Sequence, residues 1–234
     1  MHLEIARALE GQYEARLGEH ASELAEHFSY ATDAADLAKA VRYGEVATER
    51  ARSVYAYGEV ARLLERVLQV DELLPPDPAK QCGLLLALGD ALLGCGDPRR
   101  AAEQAAPNAF KLAESLQDST KASAACRTAI LGIVRFGGIT MPSRPAFRRW
   151  AERADRYAAP DTPDRVRADI SLATVLHEEA REEEASALQA RAVALAEKLD
   201  DEDALFFVAW MMEAWPARDG RGAISSSVPT SASM

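Results

Sequence analysis

The chain has 234 residues and a formal net charge of -10, with 48% hydrophobic, 27% charged and only 6% aromatic residues. This apolar content suffices for a continuous core in one elongated domain or two compact ones, and its Ala, Leu and Val character suits closely packed helices better than sheets. An acidic balance opposes phosphate backbones and anionic bilayers, so no direct nucleic-acid or membrane binding is expected, and no run reaches the roughly 20 apolar residues of a membrane span.

Helical spacing dominates from the start. Leu3, Ala6, Leu9 and Tyr13 recur every three or four residues with Glu4, Arg7 and Glu10 between them. Met1-His2-Leu3-Glu4 thus opens an amphipathic pattern, not the apolar stretch of a signal peptide, which predicts a cytoplasmic protein. After Gly18, Ala21, Leu24, Ala25 and Phe28 form a second stripe. Asp33 or Asp36 caps a third helix carrying Ala40, Gly44, Ala47 and Ala51, small residues that let a neighbour approach. A fourth runs from about Ala56 to Leu74 and ends at Pro75-Pro76-Asp77-Pro78.

The clearest stretch is Ala79 to Asp118. Leu85, Leu88, Gly89 and Leu92 mark one helix, Gly94-Cys95-Gly96-Asp97-Pro98 a tight turn, and Ala101, Ala105, Ala109 and Leu112 the returning helix. Pro107 predicts a kink or break in its middle. Further helices are expected over Asp118 to Arg135, Ala146 to Ala158, Asp164 to Glu179, Glu182 to Leu199 and Asp203 to Trp215, with an irregular loop from Gly137-Gly138 to Pro145. From Pro216 the composition turns to Gly, Ser, Arg and Pro, which predicts a disordered tail over 216–234.

Internal repetition is visible: Leu112-Ala113-Glu114-Ser115-Leu116-Gln117-Asp118 recurs as Leu195-Ala196-Glu197-Lys198-Leu199-Asp200-Asp201. A single helix pair cannot bury its apolar face alone, so such units must stack, which produces a superhelix with a concave face.

Chemistry-bearing residues are sparse. His20 and His27 lie about two helical turns apart, roughly 10 Å, too far for one ion to bridge. His177, before Glu178-Glu179, reads as a solvated helix end, and Glu182-Glu183-Glu184 as a helix start that complements the macrodipole. Gly94-Cys95-Gly96 lacks the preceding strand of a phosphate cradle. Cys82, Cys95 and Cys126 form no CxxC pair and read as buried free thiols. Trp150 is expected to pack on a neighbouring helix. No catalytic residue, metal ligand or cofactor is assigned.

Leu85 to Leu112 resembles a tetratricopeptide repeat, with the family's Leu-Gly pair at Leu88-Gly89, its turn glycine at Gly96 and its small residue at Ala101. Asn108, beside Ala109, departs from a second small position. A further match runs through Leu172-Ala173, Leu176, Ala185 and Ala192, and a looser one through Ala47, Ala51, Tyr57, Val60, Leu64 and Val67, without the Leu-Gly pair. The resemblance implies an all-α, right-handed α-solenoid of antiparallel helix pairs over 36–215, with 1–35 an N-terminal helical pair leading from a missing upstream module. His2 to Glu10, Glu19-His20-Ala21, Glu23 to Phe28 and Lys39 to Tyr43 also resemble the segment that follows the ATPase module in LuxR/MalT-like and AfsR-like regulators and in class III adenylate cyclases joined to a STAND ATPase.

No GxxxxGK[ST] phosphate loop occurs, so the chain is expected to be the sensor or protein-binding arm of such a protein, a fragment without its catalytic module. A protein, peptide or small effector would dock in the concave groove, for which Arg42, Glu45, Glu49, Asp90, Thr174 and His177 are the expected lining. The run from Leu205 to Trp215, apolar on nearly all sides, expects a cover, either further repeats or a second copy of the chain. Two other readings carry less of the pattern: a helical enzyme with a metal or acid–base site in the groove, and a structural self-assembly module.

Overall fold

The computed structural model describes residues 1–138 and 140–215, and every regular element among them is helical. The tail expected over 216–234 lies outside the described residues. In chain order the helices are α1 (His2–Gln12), α2 (Ala21–Phe28), α3 (Ala34–Ser53), α4 (Tyr57–Asp71), α5 (Pro78–Gly94), α6 (Pro98–Arg100), α7 (Ala106–Ser115), α8 (Ser119–Gly137), α9 (Pro145–Tyr157), α10 (Pro163–Glu178), α11 (Glu182–Leu199) and α12 (Glu202–Ala214). A 3₁₀ segment, Glu14–His20, joins α1 to α2, and a π-helical turn, Ala101–Ala105, joins α6 to α7.

Five of the longer helices start with the same local device. Asp33, Asp77, Asp118, Thr162 and Asp201 each accept a backbone N–H three residues on, capping α3, α5, α8, α10 and α12. Pro78 and Pro163 occupy the first position of their helices, where a proline loses no intrahelical bond. Of the two candidate caps, Asp33 is the one used, while Asp36 is buried and pairs with Arg7 at 2.9 Å.

The ends obey a matching rule. Tyr55, Gly96, Gln117 and Ala180 have φ of 57, 84, 56 and 57°, and the N–H after each reaches back across the turn to Ala51, Leu92, Ala113 and Leu176. This is the left-handed stop that satisfies the orphan carbonyls of a helix terminus. The heptapeptide repeat now has a physical meaning: Gln117 and Asp200 are both left-handed, and Asp118 and Asp201 after them both cap the next helix.

Pro107 does not break its helix. Arg100, Ala101, Ala105 and Ala106 all keep right-handed helical dihedrals, and the wider π turn over Ala101–Ala105 precedes the proline. A π turn shifts the hydrogen-bond register by one residue, which accommodates a position that cannot donate.

Packing links helices that are close in the chain: α3 with α2 and α4, α4 with α5, α5 with α7 and α8, α8 with α9 and α10, and α10 with α9, α11 and α12. Two apolar clusters meet along α5. One holds Leu24, Phe28, Val41, Val60, Leu64, Leu88 and Leu92; the other holds Cys82, Ile130, Phe147, Trp150, Ile170 and Met211. Trp150 meets Phe110 edge-on at 5.4 Å, as expected of a packed indole.

Small residues set the spacing. A Cβ added at Gly89 would lie 2.6 Å from Thr128 Cγ2, so α5 and α8 pack at a distance that only glycine allows there. At Gly132 it would lie 2.6 Å from the Pro98 carbonyl oxygen, so α8 rides directly on the backbone of α6. No helix among the described residues is long and apolar enough to cross a membrane.

Candidate functional site

The six residues expected to line a groove fall into three places. Glu49 lies 3.0 Å from Arg52 on α3, and Glu45 lies 3.5 Å from Lys80 of α5. Asp90 of α5 lines a cleft of about 380 Å³ with Arg52, Tyr57, Val60, Ala87 and Ala91. Arg42 instead covers the Tyr43 ring at 4.9 Å and faces Glu10 of α1 at 4.0 Å. Thr174 is buried and donates to the Ile170 carbonyl at 2.8 Å. His177 is 9% exposed, with Nδ1 2.7 Å from Glu182 Oε2 and Nε2 buried without a hydrogen-bond partner among the described residues. The solvated end expected at His177 is therefore a closed turn, because the chain reversal at Ala180 folds α11 back over the ring.

The Asp90 side chain keeps a solvent-exposed edge while protein walls most of its other sides. That burial pushes its carboxyl above the usual range, Arg127 and Arg52 pull it back, and Asp164 raises it again. Arg127 itself reaches Asp164 at 3.3 Å, and Ser123 donates to the same carboxylate at 3.1 Å. Arg52, Asp90, Arg127 and Asp164 therefore form an oblique row of alternating charge, from the end of α3, across α5 and α8, to the start of α10. Only Asp90 of this row was expected. The signal for the others was their recurrence roughly every 37 residues, close to the length of one helix pair.

Further along, α8, α10 and α12 enclose a second recess of about 420 Å³, lined among others by Leu131, Arg135, Arg167, Phe206 and Trp210. Phe206 is 72% exposed although its neighbours Phe207 and Val208 are buried. No sequence pattern singled out the two arginines, because they become neighbours only through the packing of α10 on α8.

The remaining polar groups bind elements together. Asp169 is fully buried, takes two hydrogen bonds from Arg191 at 2.5 and 2.7 Å, and meets Arg165 at 2.6 Å. This ties α11 to α10. Glu184 pairs with Arg181, which holds the Glu184 carboxyl below its usual range. His27 Nδ1 lies 3.1 Å from His2 Nδ1, and His20 stacks on Tyr13 at 3.7 Å. Among the described residues no cluster of three or more His, Cys, Asp or Glu side chains is arranged to hold a metal ion.

The thiols differ from the expectation of uniform burial. Cys82 and Cys126 are buried, and burial pushes the Cys126 thiol up to about 12. Cys95 is exposed, because it follows the last residue of α5 at a chain reversal rather than facing a neighbouring helix.

No protein-family model and no curated protein matches the chain.

Proposed function

We propose that this chain is a tetratricopeptide-like, right-handed α-solenoid of antiparallel helix pairs whose first helices form a docking face for a partner protein or peptide. The observation that carries the reading is the recurrence of one unit. Helix pairs begin at Ala34, Pro78, Ser119 and Pro163, and a further helix begins at Glu202, roughly 40 residues apart, each behind the same type of side-chain cap. The Leu88-Gly89 pair fits a small residue where helices converge, since Thr128 of α8 leaves no room for a Cβ at Gly89 and Ala105 before α7 lies in contact range of it. The unit is longer than the family's usual 34 residues.

The first helices α5, α8, α10 and α12 touch in series, so their outer sides form one surface. The oblique charge row runs from Arg52 at the end of α3 across α5 and α8 to α10, and the second recess lies on α8, α10 and α12. Alternating charge at about one residue per unit suits a segment laid across several units, with register set by charge pairing. By resemblance, the chain would be the arm of a bacterial signalling ATPase, where docking would bias the state of the nucleotide-binding module.

A photo-reactive residue placed at Ala87, in the Asp90 cleft, and at Lys111, exposed on α7, separates the faces in cells of the source organism. Discrete adducts at Ala87 that weaken several-fold in Asp90→Arg are the expected result. Adducts confined to Lys111 would sink the docking-face reading.

A further inference from the structure

On the reading of the first helices as a docking face, the recess between α8, α10 and α12 has a chemistry of its own. We propose that it is a binding site for a peptide segment that carries a carboxylate side chain next to a bulky apolar one. The floor and rim are apolar, from Leu131 and Val134 of α8 and from Phe206 and Trp210 of α12. Phe206 is 72% exposed, and Trp210 is half-buried with Trp215 against it edge-on at 5.5 Å. Rings held in this way offer large contact area at low entropic cost.

Two guanidinium groups stand over this surface. Arg135 uses one nitrogen on the Leu93 carbonyl at 2.8 Å. The Arg167 side chain is 13% exposed and reaches Asp164 only at 3.9 Å, and its Nε is buried with no hydrogen-bond partner among the described residues. A largely desolvated guanidinium whose nearest carboxylate is 3.9 Å away is under-compensated, and a carboxylate entering the recess would meet the charge of its terminal nitrogens.

Asp203, in the first turn of α12, lines the same recess and fixes the direction of entry. It repels an anion from the α12 side, so the carboxylate lies toward Arg135 and Arg167 and the apolar side chain over Phe206 and Trp210. A volume of about 420 Å³ holds one or two side chains. The recess shares α8 and α10 with the charge row, so a segment leaving it continues along the same face. A peptide fits that continuity better than a free small acid.

The test is a titration of the full chain with an acetylated, amidated pentapeptide, Gly-Glu-Leu-Phe-Gly, and its Gln counterpart, read on the Trp210 indole N–H resonance as assigned with Trp210→Phe. The Glu peptide is expected to shift this resonance and to bind at least fivefold more tightly than the Gln peptide. Arg135→Gln and Arg167→Gln should each remove most of that difference, and Phe206→Ser should weaken both peptides alike. Equal affinity for the two peptides overturns the site, as does a Trp210 signal that no peptide moves. Shifts confined to the Asp90 cleft also overturn it but leave the docking-face reading standing, which the Ala87 adducts judge separately. A Trp210 signal that moves with protein concentration alone, and stops moving in Phe206→Ser, assigns the recess to a second copy of the chain instead.

Discussion

Ala180 shows how much stability rests on single backbone positions. It ends α10 at φ 57°, a conformation that crowds an L side chain against its own carbonyl, and its methyl group is exposed and contributes little packing. Gly96 solves the same problem between α5 and α6 without a Cβ. Replacing Ala180 with Gly should therefore stabilise the fold by about 1 kcal/mol, since relief of the left-handed strain outweighs the added chain entropy. For a chain of this size that corresponds to roughly 2–4 °C in thermal unfolding. A lower melting temperature would mean that the methyl group packs better than its exposure implies.

At the scale of one helix, α1 is the case where polar contacts matter most. Only Ala6 of α1 is fully buried, so the helix is held by Arg7 on Asp36 and by Glu10, which takes hydrogen bonds from Lys39 at 2.7 Å and Tyr43 at 2.6 Å. Burial works to raise the Glu10 carboxyl, but these bonds and the charges of Lys39 and Arg42 prevail and hold it below its ordinary value of 4.5. A depressed carboxylate contributes stability that is complete above its unfolded value and is lost as pH falls through the folded one. Amide exchange in α1 should thus quicken relative to α4 as pH drops below about 4.5, and Glu10→Gln should remove most of that pH dependence. An acid response unchanged in Glu10→Gln would place the titrating group elsewhere.

Over the whole molecule, contacts run between neighbours in the chain, and the two apolar clusters meet along α5. On the reading of the chain as a stack of helix pairs, stability is distributed locally, as nearest-neighbour terms. Asp169 offers a test because it is buried between Arg165 and Arg191. Asp169→Ala removes one of the two carboxylates that hold Arg165, Asp155 remaining at 2.7 Å, and lets Arg191 turn to water, so it should cost about 2 kcal/mol, in the range for hydrogen bonds to charged groups. Exchange protection should fall in α10 to α12 and hold in α1 to α4. An equal loss along the chain would show a single cooperative unit instead.

The helices were legible in the sequence because their signals are local: Asp33, Asp77, Asp118 and Asp201 act on amides three residues away, and Pro78 and Pro163 fix their own dihedrals. The heptapeptide repeat was visible for the same reason, since a left-handed residue and a cap are adjacent in the chain. Pro107 predicts a break, but a π turn over Ala101–Ala105 takes up the missing donor and the helix continues through it. Of the candidate site, Asp90 was found from its place in the repeat, while Thr174 and His177 were expected on the same face and are buried. A helical register wrong by one position turns a side chain by about 100°, which is enough to carry it from a groove into a core. The pairing of Arg127 with Asp164, the closed turn over His177 and the placement of Arg135 and Arg167 over Phe206 arise only when α8, α10 and α12 pack. What the sequence by itself determined is roughly where most of the helices begin and end, because caps and turns act within a few residues. What only the tertiary structure decided is which charges meet, because that depends on the crossing of helices some 40 residues apart in the chain.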